Sequence, residues 1–147
     1  MSKEFLRDQR QKILDSWMYS VQRIDLLIIS ISGGGIYVAL KTLEFIKEHQ
    51  MYNPIIIKIA GLLFVAAIVL NFSGQYCGLK LHEFDSYVNY YETEETNSRG
   101  KSDNSENIKH YNKKVAILDK ICSFLNYSCG ILMLTGLFLI AWHFVTF

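Results

Sequence analysis

The stretch ICSFLNYSCGILMLTGLFLIAWHFVTF (Ile121–Phe147) contains no charged residue, although all 15 Lys/Arg and all 14 Asp/Glu of the chain lie between Lys3 and Lys120. About 20 predominantly apolar residues suffice for a helix to cross the hydrocarbon core of a bilayer. The segment 121–147 therefore reads as a membrane span, here the third. Working back along the chain, Pro54 suits the first turn of a helix and precedes IIIKIAGLLFVAAIVLNFSGQYCGL (Ile55–Leu79). The segment 54–79 is the second span. Its one charge, Lys58, sits a turn inside the end, where the long stem reaches the interface. The first span, 26–46, reads LLIISISGGGIYVALKTLEFI and crosses if Lys41 turns its ammonium toward the headgroups.

The remaining composition narrows the class. With 147 residues, 50% apolar and a net charge of +1, the chain is one small unit and not a disordered polymer. An ordinary soluble domain is excluded by the spans. Positive charge orients membrane proteins toward the cytoplasm. Lys3, Arg7, Arg10, Lys12 and Arg23 precede span one, and Lys80, Arg99, Lys101, Lys109, Lys113, Lys114 and Lys120 lie between spans two and three; only Lys41, Lys47 and Lys58 fall on the other side. This predicts a cytoplasmic N-terminus and an external C-terminus. Charges throughout the first 25 residues and the lack of a small-residue site after span one argue against a cleaved signal.

The polar segments extend the spans. Leu6, Ile13 or Leu14, Trp17, Val21 and Ile24 recur at helical spacing, as do Leu81, Phe84, Val88 and Tyr91. Ile108, Tyr111, Val115, Leu118, Cys122, Leu125, Cys129 and Leu132 keep a 3-4 alternation from the charged part into span three, the seam of a continuously packed helix. The expected architecture is an all-α membrane protein of three long helices (3–47, 53–93 and 106–147), each a transmembrane span continued into a cytoplasmic helical bundle. In order these are a cytoplasmic amphipathic helix (1–25), span one (26–46), a short external turn (47–53), span two (54–79), a cytoplasmic hairpin (80–120) with a mobile loop at 93–106, and span three (121–147). Pairing the hairpin about Gly100 sets His82 near Asp119.

No constellation of an enzyme is present. Gly33-Gly34-Gly35 lies in an apolar span without the lysine of a phosphate-binding loop. His49, His82, His110 and His143 are scattered in depth, so no metal site is expected. His82-Glu83 with Asp85 reads as a solvated helix face. Cys77, Cys122 and Cys129 read as free thiols. No cofactor is implied. No Asp, Glu or Arg sits mid-span, which argues against proton-coupled transport but leaves a passive pore open.

The candidate functional residues are polar or small ones inside spans. Span one carries Ser30, Ser32, Gly33, Gly34 and Gly35, with Ser30-xxx-Gly34 and Gly35-xxx-Ala39 spacing that admits close helix approach. Three consecutive glycines soften the helix in mid-bilayer. Span two carries Ala60, Ala67, Asn71, Gly74 or Gln75, and Gly78 on one stripe, with Phe64 its one bulky member; span three adds Asn126, Ser128, Gly130, Thr135 and Gly136. These stripes serve either helix packing or, with Asn71 the best single candidate, a water-filled path built from several copies, because three helices are too thin to hold a pore alone. Lys109, Lys113 and Lys114 read as a juxtamembrane basic surface or as a phosphate contact. Glu92, Glu94, Glu95 and Glu106 balance them, so duplex nucleic acid is not an expected partner.

A charged helix with Trp17 and Arg23 entering span one, the short turn KEHQMYN (Lys47–Asn53), and an exit through LKLHEFDSYVNYYE (Leu79–Glu92) resemble the SLATT-type two-span effectors of bacterial antiphage and conflict systems. The likeness is one of layout over residues 5–92, with span three as an added element in place of a soluble sensor. It implies a multi-pass effector of the bacterial inner membrane, assembling as a homo-oligomer (a tetramer as the working state) into a pore. It further implies a trigger, either a nucleotide or oligonucleotide ligand or a nucleotidyltransferase-like partner. The alternative from the residues themselves is a non-conducting membrane anchor or adaptor that recruits a cytoplasmic partner.

Overall fold

A computed structural model describes residues 3–49, 54–97 and 104–146, with side chains at Tyr19, 22–49, 54–94 and 104–146. Among the described residues all regular structure is helical, in three elements: α1 (Lys3–Glu48, 46 residues), α2 (Ile55–Asn97, 43 residues) and α3 (Ser105–Thr146, 42 residues). Each is long and apolar enough to cross a membrane, over Gln22–Glu48, Ile55–Glu94 and Ser105–Thr146.

Local chemistry sets the ends. Pro54 has no N–H to lose at a helix start, and its carbonyl accepts from Lys58 N at 3.0 Å. Asn104 precedes α3, at a position that favours Asn, and accepts from Ile108 N at 3.0 Å. α1 passes through Gly33–Gly35 as unbroken α-helix. Each glycine costs about 1 kcal/mol of helix propensity in water, but in hydrocarbon no water replaces the backbone hydrogen bonds, so the helix persists. α2 runs on through Thr93 to Asn97, where a loop is expected from the sequence. No proline or glycine interrupts it there, and Thr93 Oγ1 donates back to Asn89 O at 2.7 Å. Residues 98–103, the centre of the expected loop, lie outside the described residues, as do 50–53 of the expected external turn.

The chain divides into two compact units, Met1–Ile68 with Met133–Phe147, and Val69–Leu132. In the first, three helices pack on a face of α1 made by Ile28, Ser32, Gly35, Ala39 and Ile46, all buried. The i, i+4, i+7 spacing is that of one helical stripe. Ala39, Ile46 and Ile57 form a core that Leu43 and Ile140 complete, and Gly61 comes close enough to Ala39 that an added Cβ would sit 3.5 Å from the Ala39 methyl. Side chains of the predicted amphipathic face at Leu6, Ile13, Leu14, Trp17 and Val21 lie outside the described residues; Ile24 is exposed.

The second unit is an antiparallel pairing of α2 with α3. Cys77 and Val88 are buried on α2, and Cys129 on α3. Leu81, Phe84 and Tyr91 are half-buried, as is the α3 seam through Ile108, Tyr111, Val115, Leu118, Cys122, Leu125 and Leu132. Tyr111 gathers Tyr87 (centroids 5.3 Å), Tyr91 (5.9 Å, stacked) and Phe84 (6.0 Å).

Candidate functional site

In the first unit the decisive side chain is Phe64. It is fully buried, and its ring lies between two glycines. A Cβ on Gly35 would meet Phe64 Cε2 and Cζ at 2.5 Å; a Cβ on Gly136 would meet Cε1 and Cζ at 3.0 Å. The bulky member of the α2 stripe thus fills a slot that two missing side chains leave open. One turn away on α1, Ser32 is fully buried, and its hydroxyl has no hydrogen-bond partner among the described residues. Ser30, Gly33 and Gly34 are exposed on another face, and among the described residues nothing lies within 4 Å of a Cβ built on Gly33 or Gly34. The two small-residue pairs of span one therefore part company: Gly35-xxx-Ala39 packs inward, whereas Ser30-xxx-Gly34 faces out.

In the second unit two amides pair on α2 and a third reaches α2 from α3. Asn71 is 1% exposed, and Gln75 Nε2 donates to its Oδ1 at 3.0 Å. Gln75 itself is exposed. Asn126 of α3 lies over Gly74, where an added Cβ would be 2.9 Å from its Oδ1, so glycine is what admits the amide. Asn126 is likewise exposed, and its carbonyl accepts from Cys129 Sγ at 3.1 Å. Asn126 is a member of the span-three stripe in the sequence, but only the hairpin register sets it beside Gly74. That register was available in principle from pairing about Gly100.

The three lysines differ in their surroundings. Lys109 and Lys113 are exposed, but Lys114 is half-buried, with its ammonium 5.1 Å from the Phe84 ring and 5.5 Å from the Tyr111 ring. Such cation–π contacts hold a lysine to aromatic packing. The exposed ion pairs Lys41–Glu44 (2.7 Å) and Lys80–Glu83 (2.6 Å) join residues one helical turn apart and contribute little to stability. Beside the aromatic cluster an open groove of about 500 Å³ is lined by Glu83, Ser86, Tyr87, Tyr90 and Tyr91. Among the described residues no group of three or more His, Cys, Asp and Glu is placed to hold a metal ion.

What the arrangement offers chemically is hydrogen bonding by amides and hydroxyls on membrane-length helices, part packed inward and part facing out. Comparison with protein-family models, curated proteins and solved structures yields no match to this chain.

Proposed function

We propose that the chain is a homo-oligomeric, pore-forming membrane effector, with its N-terminus and charged helical segments cytoplasmic and its C-terminus external. The observation that carries this reading is the outward exposure of Gln75 and Asn126 within apolar spans. Gln75 gives one N–H to Asn71, and each amide group left facing hydrocarbon without a hydrogen bond costs several kcal/mol. Several copies remove that cost by pairing these amides or by lining water with them. The most apolar stretches of the three helices are only 22%, 28% and 17% buried, so a single chain leaves most of each span available to neighbours. Layout resemblance to SLATT-type effectors adds the setting: a bacterial inner membrane, antiphage defence, and opening triggered through the charged helices by a nucleotide-type signal or a partner protein.

The test is conductance of the purified protein in a planar bilayer, with the oligomer mass measured in the same detergent. Unitary currents from a defined oligomer are expected. Asn71→Leu removes the acceptor that holds the Gln75 amide at 3.0 Å and is expected to abolish the current while insertion is kept. Gly34→Leu is expected to do the same by filling a face that is open in the single chain. Unchanged currents in both variants would sink the assignment of these residues.

A second reading, a non-conducting adaptor, draws on the groove lined by Tyr87, Tyr90 and Tyr91, where the exposed Tyr87 and Tyr90 offer the rigid amphipathic contacts typical of protein interfaces. An adaptor purifies as a monomer or dimer and conducts nothing. A large symmetric assembly that stays silent is a closed channel.

A further inference from the structure

Three features of the second unit bring two cysteines to one place. The register is antiparallel, with Gly74 against Asn126 and Tyr87 against Tyr111, and the same alignment sets Cys77 opposite Cys122. The Cys77 thiol points across the helix pair to Leu118 O at 4.0 Å, the carbonyl that α-helical bonding pairs with the Cys122 N–H. Cys122 follows Leu118 by one turn on the same face of α3. About one turn away the helices pack closely: a Cβ added to Gly74 would stand 3.7 Å from Leu125 Cβ, in the range of the short Cβ–Cβ span that a disulfide needs. Cys129 differs. It is fully buried and its thiol turns back to its own helix at Asn126 O.

We propose that Cys77 and Cys122 form a dithiol site that closes into a disulfide by exchange with a low-molecular-weight disulfide, tying α2 to α3 at the charged end of their spans, beside Lys80 and Lys120. Cys122 is half-buried and Cys77 is buried, which sets the order of events. The Cys122 thiol loses its proton and attacks the small disulfide, forming a mixed disulfide and releasing one small thiol. The Cys77 sulfur then attacks the Cys122 sulfur and expels the second. Two protein thiols are oxidised, one small disulfide is reduced to two thiols, and both protein protons leave on them. In a reducing compartment such a bridge is transient and reports the thiol–disulfide balance. The site is independent of whether the assembly conducts.

The experiment uses the full chain in detergent, treated with oxidised glutathione, then unfolded in dodecyl sulfate and alkylated with a maleimide. Three free cysteines are present at the start. The expected result is one alkylatable thiol, Cys129, in a monomeric chain lighter by two hydrogens, with peptides containing Cys77 and Cys122 joined. Cys77→Ser is expected to stop at a glutathione adduct on Cys122, because the resolving sulfur is gone. Dibromobimane, which fluoresces on bridging two thiols, is expected to light up the untreated wild type and not Cys77→Ser. Three alkylatable thiols after oxidation, a persistent glutathione adduct on the wild type, a bridge through Cys129, or covalent dimers would each overturn the proposal.

Discussion

Gly35→Leu is expected to disrupt the packing of the three helices, while Gly34→Leu, one residue away, leaves the single-chain fold unchanged. At Gly35 even a Cβ would lie 2.5 Å from two Phe64 ring atoms and 2.8 Å from a third. The ring has little room to retreat, because on its other side Gly136 already presses it to 3.0 Å of where a Cβ would stand. Helix backbones must then separate. Overpacking by a few methylenes costs about 1–3 kcal/mol, and an isobutyl group in a closed slot is expected to exceed that. Gly34 meets nothing within 4 Å, so leucine there projects outward. The measurement is helix-packing stability by dodecyl sulfate titration in micelles, followed by circular dichroism and tryptophan fluorescence. A loss of the folded transition in Gly35→Leu alone is the expected outcome; equal stability of the two variants would show that the Phe64 slot does not hold the helices. The milder Gly35→Ala is expected to be rescued by Phe64→Leu, since the pair shares one contact and its effects are not additive.

Phe64→Ala carries the second large effect, through the opposite error. In water-soluble proteins a buried Phe→Ala change costs about 3–5 kcal/mol, part of it the transfer of the lost side chain. Between a protein interior and lipid that transfer part is nearly absent, because both are apolar. The remaining part is the cavity. About 100 Å³ of lost ring at about 24 cal/mol per Å³ gives about 2 kcal/mol, reflecting contacts forfeited on the faces of Gly35 and Gly136. The same titration reads it as an earlier unfolding midpoint. A stability unchanged within error would mean that neighbouring helices collapse fully into the space, an outcome that two glycine-lined walls make unfavourable, since they carry no side chains to fill it.

The two effects bear on function in different ways. Gly35 and Phe64 are expected to keep each chain folded, so on the pore reading their variants lose conductance through loss of structure. On the same reading Gly34, with its open face, is where conductance and folding come apart, whereas Asn71 is buried and bonded to Gln75, so that Asn71→Leu bears on both. A variant set that includes both kinds separates assembly from single-chain stability.

Much of this architecture was legible in the sequence. An uncharged Ile121–Phe147, a Pro54 start and the lack of proline or glycine from Lys3 to Arg23 ahead of an apolar 26–46 were enough to predict three membrane-length helices, because hydrocarbon leaves a backbone few alternatives to internal hydrogen bonding. The seam from Ile108 to Leu132 was legible for the same kind of reason: a 3-4 alternation presents one face whatever lies against it. The extension of α2 to Asn97 was not, since Thr93–Asn97 suits a loop by polarity and a helix by its lack of glycine or proline, and local propensity alone does not choose.

The face that each span buries was decided by tertiary structure. Ser30-xxx-Gly34 and Gly35-xxx-Ala39 are equivalent by spacing, and a periodicity of small residues names the stripe without naming its partner. The choice falls to one large ring: Phe64 needs an emptied wall on both sides, and only Gly35 with Gly136 supplies it. Likewise Asn71 inside and Gln75 outside are neighbours on one helix turn that composition treats alike, and the antiparallel register, with Asn126 seated over Gly74, separates them. Length and hydropathy determine that these helices can cross a membrane, since burial in lipid is additive along a chain. Which side chains meet depends on shape, and shape is a property of pairs.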